Sequence, residues 1–178
     1  GLKKGTPVIV GTGDSTAEAI SVGLVESGTV FFQYGSSMFY YYCVDRYVDD
    51  YVSANGNGSL KGGKEFTIPG TFCNGDGTNA AGTLTRWVRD TFYEEELKKE
   101  RAGGENAYAV MAREAAEVEA GSEGLIILPY IYGERSPIQD AKASGMLFGL
   151  KGTHTRKQIN RAALEAVGYS TLQHMILF

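Results

Sequence analysis

The chain has 178 residues, a formal net charge of −4, and 43% hydrophobic against 21% charged residues. That length suits one domain with a sizeable core, and the balance is that of an ordinary globular protein. An acidic chain without a basic patch is excluded as a general nucleic-acid binder, which must neutralise phosphates, and no apolar run approaches the length of a membrane span.

In chain order, Val8, Ile9 and Val10 read as a short buried strand over residues 7–10. A helix follows, with Asp14 or Ser15 as its cap and Ala17, Ala19 and Ile20 as good formers. A turn at residues 25–28 leads into two runs rich in aromatic and β-branched residues, 29–34 and 38–44. Gly35-Ser36-Ser37 between them predicts a hairpin with a tight turn. Residues 53–64 form a polar, glycine-rich loop expected to be mobile. Residues 65–73 predict a third strand, made irregular or edge-like by Pro69 and Gly70.

Residues 77–90 read as a helix opened by Asp76 or Thr78, with Leu84, Trp87 and Val88 as its apolar stripe. Residues 93–101 are charge-rich and helical, a solvated face. Residues 105–119 form another helix, with Tyr108, Met111, Ala112, Ala115 and Val118 at helical spacing. Gly121-Ser122-Glu123-Gly124 breaks it, and residues 125–128 predict an apolar strand of a sheet interior. After a loop-rich stretch over 129–150, His154 and Thr155 open a last helix with Ile159, Ala162, Ala163, Ala166 and Val167 inward. Strands followed by alternating helix and strand predict an α/β fold, a mixed sheet flanked by helices. Cys43 and Cys73 follow no CxxC spacing and sit in apolar runs, as reduced core thiols of a cytosolic protein do. The chain opens at Gly1 almost directly into strand and stops on the apolar Met175-Ile176-Leu177-Phe178, which points to a piece of a longer protein.

Several chemistries compete at the glycine-rich corner VIVGTGDSTAEA. Gly13-Asp14-Ser15 could open a serine hydrolase, but that chemistry needs a histidine base oriented by an acid. Only His154 and His174 exist, and the positions three residues before them hold Lys151 and Thr171. Isolated histidines and cysteines give no zinc spacing, and Gly11-Thr12-Gly13 lacks the third glycine of a dinucleotide fingerprint. The turn Gly35-Ser36-Ser37 offers backbone N–H groups and two hydroxyls that can take phosphate oxygens, or it is a plain hairpin turn.

Five pieces stand in register along the chain. They are Gly5-Thr6-Pro7-Val8 with Gly11-Thr12-Gly13-Asp14; Gly35-Ser36-Ser37; Ala81-Gly82 with Arg86-Trp87 and Arg89-Asp90; Leu128-Pro129-Tyr130 with Gly133-Glu134-Arg135-Ser136-Pro137; and Phe148-Gly149-Leu150 with His154-Thr155-Arg156, Arg161-Ala162 and Glu165. Together they resemble the FGGY carbohydrate kinases, and among them the pentulose kinases such as xylulokinase, over nearly the whole chain. Ser15 departs from the Asn that pentulose kinases often carry there, and Met38 from a small residue.

The resemblance implies an actin-like ATPase (ribonuclease-H-like) fold, incomplete here. Residues 1–178 would be the first part of the C-terminal, nucleotide-binding domain, with the N-terminal sugar-binding domain upstream and an adenosine-binding segment downstream. It implies transfer of the γ-phosphoryl group of ATP to a sugar hydroxyl with Mg²⁺. Asp14 matches the catalytic base, a role compatible with helix capping, and Ser15 stands beside the sugar. Gly35, Ser36 and Ser37 would contact the β- and γ-phosphates, and Gly82 would lie against the nucleotide. Arg86, one helical turn on, either reaches phosphate or ribose or is a surface arginine. Glu134 and Arg135 would pin an irregular loop. The expected partners are a small-molecule sugar, ATP and the rest of the same polypeptide, in the cytoplasm, with a homodimer left open and no nucleic acid or membrane. The competing expectation is an actin-like nucleotide- or partner-binding module without kinase activity.

Overall fold

The computed structural model describes residues 1–47, 51–52, 59–60 and 64–176. The first element is helix α1 (Asp14–Ser21). Strands β1 (Val30–Tyr34) and β2 (Met38–Val44) then pair as the predicted hairpin, with Tyr34 opposite Met38 across the turn. Two short strands, β3 (Tyr51–Val52) and β4 (Ser59–Leu60), pair with each other. The rest of the glycine-rich loop predicted at 53–64 lies outside the described residues, apart from Lys64. Strands β5 (Lys64–Glu65) and β6 (Phe72–Thr78) complete a four-stranded sheet in the order β1-β2-β6-β5, every pairing in it antiparallel.

Helices α2 (Gly82–Phe92), α3 (Glu94–Arg101) and α4 (Ala107–Ala116) follow. Acids fill the first turn of α3 and bases its last, matching the helix dipole. The Asn106 side chain caps α4 by accepting from the N–H groups of Tyr108 and Ala109. A two-stranded ribbon, β7 (Ile126–Leu128) with β8 (Met146–Phe148), precedes the long helix α5 (Arg156–Met175). Thr155 and Gln158 form a capping box at its start.

Three apolar clusters hold these elements. Leu84, Val88, Tyr93, Met111, Leu125, Ile127, Ala162, Ala163 and Ala166 join α2, α4, β7 and α5. On one face of the sheet, Ala19 and Leu24 pack on Cys43, Phe66 and Cys73, which seats α1. On the other face, Met38, Tyr40 and Ala81 meet Phe32 and Val167, which brings α5 against β2 and the start of α2. The small alanines of α5 let it approach both partners closely.

Several sequence expectations are corrected. Residues 7–10 form no strand: Val8, Ile9 and Val10 are 84%, 89% and 99% exposed, because no described strand runs beside them to complete a ladder. Gly13, not Asp14 or Ser15, caps α1, and Asp14 is its first residue. The strand expected over 65–73 is two strands that fold back through a positive-φ Gly70. The helix expected from residue 77 starts at Gly82, since Asp76, Gly77 and Thr78 belong to β6. There the glycines permit close contact: a Cβ on Gly77 would sit 1.9 Å from the Met38 carbonyl oxygen. The strand at 125–128 is not in a sheet interior; among the described residues it has one partner, and Ile126 is 45% exposed.

Candidate active site

The tip of the β1–β2 hairpin is built on the start of α2. The Gly35 carbonyl accepts from the N–H of Gly82 at 2.9 Å. The Ser36 carbonyl accepts from the N–H groups of Ala81 and Thr83 at 3.2 and 3.0 Å, and from the Thr83 hydroxyl at 2.9 Å. These carbonyls take the orphan donors that open a helix, so the helix end holds the turn. The turn is closed further by the Gly35 N–H donating to the Ser37 carbonyl at 2.9 Å. With both carbonyls directed into the protein, the N–H groups and hydroxyls of Ser36 and Ser37 have no protein partner among the described residues. Ser36 is exposed and Ser37 half-buried.

Gly82 is needed for this docking, because a Cβ there would lie 2.6 Å from the Gly35 carbonyl oxygen. Thr83, not singled out by the sequence analysis, anchors the turn through both its N–H and its hydroxyl. A threonine in the first turn of a predicted helix was its only sequence signal. Arg86 lies one turn beyond Gly82 on α2, exposed and without an ion pair among the described residues. Trp87 is partly buried against the helical core, edge-on to Phe92 at 5.8 Å, and so is a packing residue.

Asp14 and Ser15 stand on α1, and among the described residues no hydrogen bond joins them to the turn. The Asp14 carboxylate accepts from the Ser15 N–H at 2.8 Å through Oδ1 and is otherwise exposed. α1 is fixed to the same hairpin: the Gln33 side-chain amide donates to Glu18 at 2.5 Å, one helical turn after Asp14 and two residues before the turn. The loop before Asp14 is tied through Thr12, whose hydroxyl lies 3.1 Å from that of Thr67.

The loop after β7 is pinned to the end of β6. Buried Glu134 accepts from the Thr78 hydroxyl at 2.6 Å and from the N–H groups of Asn79 and Arg135 at 3.0 and 2.6 Å. Arg135 donates to the Gly77 carbonyl at 3.1 Å. Glu134 and Arg135 thus pin their irregular loop, as expected, and do so on the connection between β6 and α2, which the sequence did not indicate. Behind the site, Arg156 at the start of α5 bridges Glu96 of α3 and Glu114 of α4 at 3.1 and 2.5 Å and stacks on the Tyr93 ring. Its hydrogen bonds hold the Glu96 carboxyl below the usual range. Burial pushes the Glu114 carboxyl the other way, but hydrogen bonds from Arg156 and Tyr93 outweigh it and bring it below that range too. Burial, with the neighbouring Glu114, pushes the Tyr93 hydroxyl well up.

A family model described as the FGGY family of carbohydrate kinases, C-terminal domain, matches residues 34–177. The chain belongs to this family. It is similar to a gluconokinase of Bacillus subtilis, 30% identical over 170 residues, covering 96% of this chain and 32% of that protein. It is also similar to a xylulose kinase of Staphylococcus epidermidis, 30% identical over 170 residues, covering 96% and 31% of the two chains. Among solved structures, the xylulose kinase from Rhodospirillum rubrum superposes with a TM-score of 0.79 at 30% identity, over 99% of this chain and 32% of that one. The fold is therefore that of the FGGY sugar kinases, an α/β actin-like ATPase fold. The chain spans about a third of the length of the curated relatives it matches. Among the described residues, no helix is long and apolar enough to cross a membrane.

Proposed function

We propose that residues 1–178 are the first part of the C-terminal, nucleotide-binding domain of an FGGY kinase that phosphorylates a sugar hydroxyl with ATP. A pentulose such as xylulose is the favoured acceptor. The observation that carries this reading is the docked turn: two serines whose N–H groups and hydroxyls have no protein partner among the described residues, above a helix start that accepts no side chain at Gly82. Such a cluster of donors without a countercharge suits the β- and γ-phosphate oxygens of ATP.

When bound, ATP supplies the phosphoryl group. Ser36 and Ser37 hold its phosphates by hydrogen bonds, and Arg86 adds a charge from the same helix. Among the described residues no group of three or more His, Cys, Asp or Glu side chains could cage a metal ion. In this reading Mg²⁺ would arrive with the nucleotide, held by phosphate oxygens, water and no more than one or two carboxylates. The Asp14 carboxylate keeps Oδ2 available to accept the proton of the attacking sugar hydroxyl while Oδ1 is fixed by the Ser15 N–H. Its main work is to orient that oxygen for in-line attack. Ser15, half-buried beside it, faces the sugar. The rest of the polypeptide supplies the opposite wall of the cleft and covers the exposed residues 8–10.

The test is sugar-dependent ADP release by the full-length polypeptide with D-xylulose, D- and L-ribulose, L-rhamnulose, glycerol and gluconate. Release with one sugar, reduced roughly 10²–10⁴-fold in kcat by Asp14→Asn with the KM for ATP little changed, is the expected result. A folded, ATP-binding polypeptide that releases ADP with none of them would favour an actin-like module that lacks kinase activity.

A further inference from the structure

Cys43 and Cys73 are direct cross-strand partners in the β2–β6 ladder. The N–H of Cys43 donates to the Thr29 carbonyl, and its own carbonyl accepts from Gly28, both at 2.9 Å. Both backbone groups of Cys43 therefore point away from β6. That makes the pair a non-hydrogen-bonded one, in which Cα atoms of an antiparallel ladder approach to about 4.5 Å. A disulfide spans Cα separations of about 4.4–6.8 Å. The two thiols also share a face: both belong to the cluster that packs beneath Ala19 and Leu24, the seat of α1.

We propose that Cys43 and Cys73 form an oxidation site that closes to a disulfide under peroxide and, by replacing two thiols with a rigid cross-link in the cluster that seats α1, lowers turnover through Asp14. The effect on turnover rests on the role of Asp14 given above; the cross-link does not. Hydrogen peroxide suits the site because it is little larger than water, and the pair is nearly enclosed, with Cys43 at 0% and Cys73 at 8% exposure. Burial pushes the Cys43 thiol up, against a smaller opposing hydrogen bond from Thr71, so the more open Cys73 reacts first. The Cys73 thiolate attacks one peroxide oxygen and the O–O bond breaks, leaving a sulfenic acid and a hydroxide that takes up the thiol proton as water. The Cys43 sulfur then attacks the Cys73 sulfur. An S–S bond forms, the S–O bond breaks, and the departing hydroxide takes the Cys43 proton as a second water. Two thiols are oxidised and one peroxide is reduced.

The test exposes the full-length polypeptide to hydrogen peroxide, removes the excess with catalase, alkylates the remaining thiols after unfolding, and maps peptides without reductant. The expected result is a peptide pair joined through Cys43 and Cys73, separated by dithiothreitol and absent from both Cys43→Ala and Cys73→Ala. The matching activity result is a several-fold loss of kcat that dithiothreitol restores and that neither variant shows. Recovery of both residues as alkylated thiols, or of Cys73 as sulfinic acid without a linked peptide, would overturn the site. A linked peptide with kcat unchanged would overturn the coupling to Asp14. If the untreated polypeptide phosphorylates no sugar, the kinase reading is what fails, and the peptide map still decides the site.

Discussion

The Gly82 N–H donates to the Gly35 carbonyl at 2.9 Å, and a Cβ on Gly82 would stand 2.6 Å from that same oxygen. The contact that positions the turn thus forbids a side chain at the helix start. Gly82→Ala should push the turn off α2. Helix propensity favours alanine by at most about 1 kcal/mol, whereas forcing backbone apart in a packed region costs about 1–3 kcal/mol. The expected outcome in the full-length polypeptide is a KM for ATP raised roughly tenfold, with the fold kept as judged by circular dichroism. An unchanged KM would mean that the turn does not hold phosphate.

Arg86 provides a separate test of the same surface. It is exposed and makes no ion pair among the described residues, so Arg86→Gln should leave the melting temperature nearly unchanged. If Arg86 reaches phosphate or ribose, losing a charged hydrogen bond worth roughly 1.5–3 kcal/mol should raise the KM for ATP tenfold or more, by about that energy. Equal kinetics would make it a surface arginine.

The first turn of that helix shows how far the sequence could be read. The β1–β2 hairpin follows from its β-rich runs and tight turn, α3 from its charge-rich run, and α4 and α5 from apolar residues at helical spacing, and each stands close to its expected place. β6 did not: Asn74, Gly75, Asp76 and Gly77 are residue types that strands disfavour. They form a strand because they pair with β2, so closely at Gly75 and Gly77 that a Cβ there would meet its backbone, and closeness to a partner is not a local property of a sequence. The same holds for residues 8–10, apolar enough for a strand yet with none beside them among the described residues. At the site, the sequence marked Gly35, Ser36 and Gly82 individually. That their backbones bond to one another, with Thr83 as a second anchor, required the fold.

Gly77→Ala should be far more damaging than Gly82→Ala. Its Cβ would fall 1.9 Å from the Met38 carbonyl oxygen and 2.8 Å from the Cα of Phe39, so β2 and β6 would have to separate. Both neighbours are backbone and cannot rotate away. A destabilisation above about 4 kcal/mol is expected, read as loss of soluble, folded protein. Wild-type melting of this variant would mean that the two strands do not pair in this register.

The Arg156 network predicts the acid limb of stability. Glu96 and Glu114 have folded pKa values held below the unfolded value of roughly 4.3, so the folded state binds fewer protons there than the unfolded chain does. Their stabilisation is present above that pH and disappears as pH falls through the folded values. Glu114→Gln should therefore lower the melting temperature most near neutral pH, with the gap to wild type narrowing between about pH 5 and about pH 3. A gap independent of pH would assign the loss to packing instead of charge.

Helix α5 ties the sheet to the helical group. Arg156 grips α3 and α4, Asn160 donates to the Met111 carbonyl at 2.7 Å, Glu165 accepts from Gly121 and Ser122, Tyr34 and Thr171 hydroxyls meet at 2.8 Å, and His174 meets the Tyr40 ring edge-on. During translation this helix leaves the ribosome after each of these partners. Until it arrives, the sheet and the α2–α4 group lack the alanine-lined surface that joins them, and their apolar faces stand open to the solvent. A ribosome pausing before residue 156 would hold out a nascent chain with its strands made but its core unfinished, the stage at which a holdase chaperone would find most to bind.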